Sequence, residues 1–317
     1  MPSENQRGGT VFEQDGADLI PVSCTLCPRA CGANRRAGQR GFCGADGSLR
    51  VARAALHHGE EPPISGTRGS GTVFFSNCPL RCVYCQNEPV STGRIGASIS
   101  IERLADIFVE LAEQGAHNIN LVSPTQYAPQ IVAALAAAGG RGMSLPVVYN
   151  TGGYELPRAV ERLAGFVDIY LTDFKYASAA LAGRYSQAPD YPRVTLEALR
   201  AMVEQVGACV RDDEGLLRSG VIVRHLMLPG QLEDAKAVLG MVYEAVGNRV
   251  CYSLMNQYTP LPSAARFAEL GATVAADEYD ELIDFALDLG ITDSYMQEGG
   301  AAEESFIPAF DLTGVRE

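Results

Sequence analysis

After residue 70, short runs of apolar and β-branched residues alternate with longer stretches whose apolar positions recur every three or four residues. Six such runs stand at 72–75, 118–122, 147–150, 167–173, 221–228 and 250–255. Such short β-rich runs read as strands. Between them, one helical face carries Ile101, Leu104, Ala105, Phe108 and Leu111, and a second Leu196, Leu199, Met202, Val203 and Val206. A third carries Leu232, Ala235, Leu239, Val242 and Val246, and a last one, over 277–289, Tyr279, Leu282, Ile283, Ala286 and Leu287. Residues 133–142 read as an Ala-rich helix ended by glycines. Strand, helix, strand in this order predicts consecutive βα units around a parallel sheet. Six units are too few to close an eight-stranded barrel, and a twisted parallel sheet of this size curls. The expected fold is therefore α/β, a partial (β/α)6 TIM-like barrel.

Residues 1–70 break the repeat, being rich in Cys, Gly, Arg and Pro, with one strand-like stretch at 49–56. They are expected to form a small Cys-rich, metal-binding N-terminal appendage, with 71–317 as the barrel domain. A chain of 317 residues, 47% apolar, can bury a core of this size. The formal charge of -13 argues against a non-specific nucleic-acid surface. Arg29, Arg35, Arg36 and Arg40 cluster locally and read as a solvated rim. The first residues lack a basic region followed by an apolar core, and the longest small-residue stretch, 131–140, is too short to cross a bilayer. A cytoplasmic protein with no membrane partner is expected. Its nine cysteines then read as metal ligands and reduced thiols rather than a disulfide framework.

Seven of the nine fall in two groups. Cys78, Cys82 and Cys85 stand as Cys-x3-Cys-x2-Cys in a loop that follows the first apolar run. Structural zinc usually closes with four ligands, whereas three thiolates on an iron-sulfur cluster leave one iron open for chemistry. The loop is expected to leave the carboxyl end of its strand, where such sheets carry their reactive residues. Cys24-x2-Cys27-x3-Cys31-x11-Cys43 offers four thiolates among glycines expected at turns. Four soft ligands suit zinc, or else iron or a second iron-sulfur cluster, and a segment this poor in large apolar residues would draw stability from the metal. Cys209 and Cys251, flanked by apolar residues, read as inert core thiols.

The loop Asn77-Cys78-Pro79-Leu80-Arg81-Cys82-Val83-Tyr84-Cys85-Gln86-Asn87, with an aromatic before its last cysteine, resembles the signature loop of the radical S-adenosylmethionine (SAM) enzymes. Within them the chain resembles the activating enzymes of glycyl-radical enzymes, pyruvate formate-lyase activating enzymes in particular, that carry an extra N-terminal cysteine segment. The resemblance implies a [4Fe-4S] cluster on Cys78, Cys82 and Cys85 whose open iron binds SAM. It implies reductive cleavage to a 5′-deoxyadenosyl radical, and Tyr84 beside cluster and adenine. Where the family carries a Gly-Gly-Glu turn for the cofactor's amino group, this chain has Val122-Ser123-Pro124-Thr125-Gln126, so Ser123 and Thr125 are the candidates there. Asn150-Thr151-Gly152-Gly153 is similar to a family turn beside the cofactor, which makes Asn150 and Thr151 candidates. Asp173 and Lys175 are implied to contact the methionine part, although a plain ion pair at a strand end is the alternative. Of Arg224 and His225 one should face the cavity, with Arg224 the candidate. Asn256 or Gln257 stands where the family places a histidine near the ribose.

The expected function is installation of a glycyl radical on a partner enzyme, with an electron donor such as flavodoxin or ferredoxin. A radical enzyme acting on a small molecule or peptide is one alternative. A non-catalytic iron-sulfur electron carrier is another.

Overall fold

The computed structural model describes residues 18–297 and 308–316. The outermost ends of both expected domains thus lie outside the described residues. In chain order the elements are β1 (Leu49–His57), α1 (Pro62–Ser65), β2 (Ser70–Phe75), α2 (Glu88–Ser91), β3 (Ala97–Ile99), α3 (Ile101–Glu113), β4 (Ile119–Val122), α4 (Ala128–Gly140), β5 (Val147–Thr151), α5 (Pro157–Glu161) and β6 (Ile169–Asp173). There follow α6 (Ala179–Ser186), α7 (Tyr191–Val206), β7 (Val210–Arg211), β8 (Leu217–Leu226), α8 (Leu232–Val246), β9 (Cys251–Met255), α9 (Ala276–Leu289) and β10 (Ser294–Met296).

The sheet order is β10-β9-β8-β6-β5-β4-β2-β1-β3, with β7 paired to β8. From β2 through β10 along this path, neighbours are parallel. All six predicted strands are present. A seventh parallel strand, β10, extends the predicted six, and the barrel stays open, with β10 and β3 at the two ends of the order. β1 lies antiparallel to β2, pairing Val51 with Phe75 and His57 with Ser70, so the sheet runs on across residue 70 into the N-terminal segment.

The longer helices α3, α4, α7, α8 and α9 form because each lays one apolar stripe on the convex face. In α3, Ser100 caps the first turn by accepting from the Arg103 N–H, and Leu104, Ala105, Phe108 and Leu111 are buried together with Ile107. The Ala-rich helix begins earlier than its glycine-bounded reading, at Ala128 with Pro129 in its first turn, and it carries Gly139 and Gly140 inside its last turn. Against these stripes pack alternate strand residues such as Val73, Leu121, Tyr149, Tyr170, Val223 and Leu254. The concave face takes the other set. Ile64 of α1, fully buried, meets Val148, Ile169, Leu171, Ile222 and Cys251 there. The four-residue α1 thus plugs the floor under the amino-terminal half of the strands, and above it the concave face turns polar. Among the described residues no helix is long and apolar enough to cross a membrane.

Candidate active site

The three-cysteine loop leaves the carboxyl end of β2. Its path requires positive φ at two non-glycine residues, Asn77 and Arg81 (75° and 55°). Such strain persists where the surroundings hold it. Here Asn77 N–H donates to Val90 O (2.8 Å) and Val83 N–H to Tyr185 O (2.9 Å). Buried Gln126 donates through Nε2 to the carbonyls of Ser76, Asn77 and Ser123 at 3.1, 3.0 and 2.8 Å. Gln126 lay in the quoted 122–126 run, but nothing there distinguished a bracing amide from a cofactor contact.

Burial, with Cys82 adding to it, pushes the Cys78 thiol up to about 12 and that of Cys85 up to about 11. Thiols so placed stay protonated at neutral pH unless a cation joins them. Three soft donors whose ionisation calls for a cation fit an iron-sulfur cluster. Among the described residues no three Cys, His, Asp or Glu side chains converge tightly enough to hold a single ion. A four-iron cube spaces its cysteines more widely than one ion does.

Beside the loop lies a small cleft that brings together Cys78 and Leu80 with Ser123 and Thr125 after β4 and Thr151 and Tyr154 after β5. The hydroxyls of Thr125 and Thr151 both donate to Oε1 of Glu155, a fully buried carboxyl. Each hydroxyl has one proton, so with it spent on Glu155 the two threonine oxygens remain only as acceptors. An ammonium group such as that of SAM suits acceptors of this kind. Burial pushes Glu155 up to about 7, the two threonine bonds opposing. Glu155 lies just beyond the turn read from the sequence. Gly153 has φ +81°, and a Cβ there would collide with the Asp173 carbonyl, so the turn at 151–155 requires glycine at this point.

Deeper in the barrel, a second group gathers on the concave face. Arg224 Nε donates to Asp173 Oδ1 (2.9 Å) and Nη2 to Asn150 Oδ1 (2.7 Å), while Lys175 Nζ lies 2.6 Å from Asp173 Oδ2. Two acids absent from the sequence expectations rise from the floor: Glu60 Oε2 is 3.4 Å and Glu61 Oε1 3.9 Å from the Arg224 guanidinium. Nothing in the local pattern marked them, because a charged pair before Pro62-Pro63 reads as an exposed turn. Burial pushes Asp173 up, yet Arg224 and Lys175 outweigh it and hold the carboxyl below its usual range. Glu60 and Glu61 are raised by burial, with Arg224 opposing. Asn150 is thus committed to this network, also donating to Glu60, while its neighbour Thr151 lines the cleft. Arg224 faces the cavity. His225 points the other way, its Nδ1 2.8 Å from Phe174 O, and burial lowers it to about 4.

Tyr84 is buried in an aromatic cluster, its ring 6.2–6.4 Å from those of Tyr176, Tyr185 and Tyr258. Asn256 follows β9, its N–H donating to Gln297 and its buried Oδ1 without a partner among the described residues, so an acceptor is left over. Gln257 accepts at its backbone carbonyl from Gln86 Nε2 (3.3 Å), while its own Nε2 donates to Met255 Sδ (3.7 Å).

In the N-terminal segment Cys24 and Cys43 are buried, Cys27 partly so, and Cys31 is exposed. Burial pushes the Cys31 thiol up, but hydrogen bonds from the backbone at Ala33 and Phe42 and from the Cys24 thiol outweigh it and hold Cys31 below its usual range. The Ala45 N–H donates to Cys43 Sγ at 3.5 Å. Burial pushes Cys27 up to about 12, with Cys43 and Cys24 adding to it. The solvated-rim reading of the arginines fails for two of the four. Arg35 is 2% exposed and donates to the carbonyls of Asp46 (2.8 Å) and Gln126 (2.6 Å). Arg29 donates to the carbonyls of Pro79 (2.9 Å), Ser186 (2.8 Å) and Gln187. Both spend their charge-bearing N–H groups on backbone carbonyls that would otherwise go short of donors. The N-terminal segment is thereby fastened to the three-cysteine loop.

The family model of the radical SAM superfamily matches residues 72–236, just over half of the chain, from β2 through the loop and into α8. An uncharacterized protein of Methanocaldococcus jannaschii is 27% identical over 279 residues, spanning 85% of this chain and 76% of its own. Among solved structures, Streptococcus suis SuiB bound to precursor peptide SuiA superposes with a TM-score of 0.50 at 11% identity, over 71% of this chain and 48% of that one. A domain of a pyruvate-formate lyase-activating enzyme from Bacteroides vulgatus gives 0.42 at 13% identity, over 58% of this chain and 100% of that one. The three-cysteine loop at the end of β2, the open parallel barrel and the matched family model agree: the chain belongs to the radical SAM superfamily.

Proposed function

We propose that the protein is a radical SAM enzyme whose Cys78, Cys82 and Cys85 hold a [4Fe-4S] cluster, and that it installs a glycyl radical on a partner enzyme. When bound and reduced by a donor of the flavodoxin or ferredoxin class, the cluster supplies reductive cleavage of SAM to methionine and a 5′-deoxyadenosyl radical. The chain's own residues bind and shield. Thr125 and Thr151 present acceptors to an ammonium, Asn256 offers a free carbonyl oxygen, and Leu80 and Tyr154 supply apolar wall to the cleft. The observation that carries the reading is that this cleft, built by the turns after β4 and β5, opens directly beside Cys78.

The charged layer at Asp173, Arg224, Glu60 and Glu61 favours a second reading, in which a polar small molecule or a peptide is the substrate, held inside the barrel. SuiB, similar in fold, was solved bound to a precursor peptide. Cys24, Cys27, Cys31 and Cys43 do not converge tightly enough to hold an ion as they stand, and from their spacing they are proposed to draw together around a metal, zinc or iron, that supports the N-terminal segment. Anaerobic incubation of the reduced protein with SAM and candidate glycyl-radical partners tests the first reading: a protein-based radical on the partner supports it. 5′-Deoxyadenosine released without any partner radical transfers support to the second.

A further inference from the structure

Ser186, the last residue of α6, is fully buried, and its hydroxyl lies 3.0 Å from Cys82 Sγ. The same oxygen is 2.7 Å from the Tyr176 hydroxyl, and the Tyr84 hydroxyl donates to Tyr176 at 2.6 Å. Each of these hydroxyls has a single proton to give. Tyr84 gives its proton to Tyr176, so Tyr176 can only donate onward to Ser186. Ser186 then donates to the sulfur, which as a metal-bound thiolate has no proton of its own. Three hydrogen bonds therefore run in one sense and end on Cys82. In a buried, low-dielectric setting, links that share one polarity strengthen each other.

The turn that carries Ser186 is gripped from the other side. Arg29, two residues after Cys27, donates to the carbonyls of Ser186 and Gln187 at the end of α6 and of Pro79 beside Cys78. Its guanidinium sits 4.0 Å over the Phe42 ring. Gln187 takes a left-handed conformation (φ 52°), which a bond to its own carbonyl helps to hold. One side chain of the four-cysteine segment thus spans the cluster loop and the hydroxyl that faces it.

We propose that Ser186 is a positioning residue for the cluster, the last donor of a Tyr84–Tyr176–Ser186 relay onto the Cys82 thiolate, and that Arg29 holds this relay in place from the N-terminal segment. The inference rests on the reading that Cys82 ligates an iron-sulfur cluster. A donor to a ligating sulfur withdraws electron density and favours the reduced state, so the relay raises the cluster's reduction potential.

The test is a redox titration of the reconstituted protein followed by electron paramagnetic resonance, with bound iron counted for each variant. Ser186→Ala with a full complement of iron should show a smaller reduced fraction at every fixed potential. Tyr176→Phe, which keeps Ser186 and the ring packing, should move the same way by less. Full iron with the wild-type potential in Ser186→Ala would overturn the relay alone. Should Ser186→Ala fail to hold iron, Tyr176→Phe decides, an unchanged potential again overturning the relay. Absence of iron from the wild-type loop would remove the cluster reading and the relay together.

Discussion

Cys82 lies between a hydroxyl donor on Ser186 and two neighbouring thiols that burial keeps protonated. At the scale of single residues the loop is therefore built to be completed by a cation, and removing one sulfur should undo it. Cys82→Ala is expected to bring bound iron after reconstitution close to background and to abolish 5′-deoxyadenosine formation, as measured by iron assay and chromatography. Glu155 gives a second prediction, in stability. Its folded value near 7 stands above the ordinary 4.5. As pH rises from about 4.5 to 7 the unfolded chain therefore loses its proton first and the folded chain binds more protons. Stability then falls across that window, by on the order of 3 kcal/mol at about 1.4 kcal/mol per unit. Glu155→Gln should flatten this part of the profile and be the more stable protein above pH 7, as read from urea midpoints.

At the scale of elements, the six main strands were legible because each is a short, β-rich, mainly apolar run that alternates with helical periodicity along the chain. β10, β3 and β7 were not, since strands of two or three residues carry no pattern of their own and form because a neighbouring edge supplies partners. The cysteine spacing was legible for the opposite reason: it is local, and its chemistry needs no tertiary information. What the sequence could not disclose was where long charged side chains end up. Arg29 and Arg35 read as solvated, yet they cap carbonyls of other elements; Glu60 and Glu61 read as a turn, yet α1 carries them into the barrel. That plug is testable. Ile64→Ala leaves a cavity against Val148, Ile169, Leu171 and Ile222 and should cost about 3 kcal/mol of unfolding free energy by denaturant titration. Arg224→Met strips the counter-charge from Glu60, Glu61 and Asp173 and should cost about as much, since breaking a buried pair leaves an uncompensated charge.

At the scale of the whole molecule, two cysteine sets far apart in sequence are joined by one arginine, and the open barrel presents a cleft at the loop above a charged interior. If the N-terminal set holds a structural metal, Cys27→Ala should lose one equivalent of metal and lower the thermal midpoint of the entire protein, because β1 beyond it is a strand of the same sheet. The central claim is that the loop at Cys78, Cys82 and Cys85 carries out reductive cleavage of SAM. The most direct measurement is anaerobic reduction of the reconstituted protein with SAM, quantifying 5′-deoxyadenosine and methionine against bound iron. The account predicts both products in equal amounts, dependent on reductant and lost in Cys82→Ala. A protein carrying four irons at this loop that is reduced and yet forms neither product would contradict it.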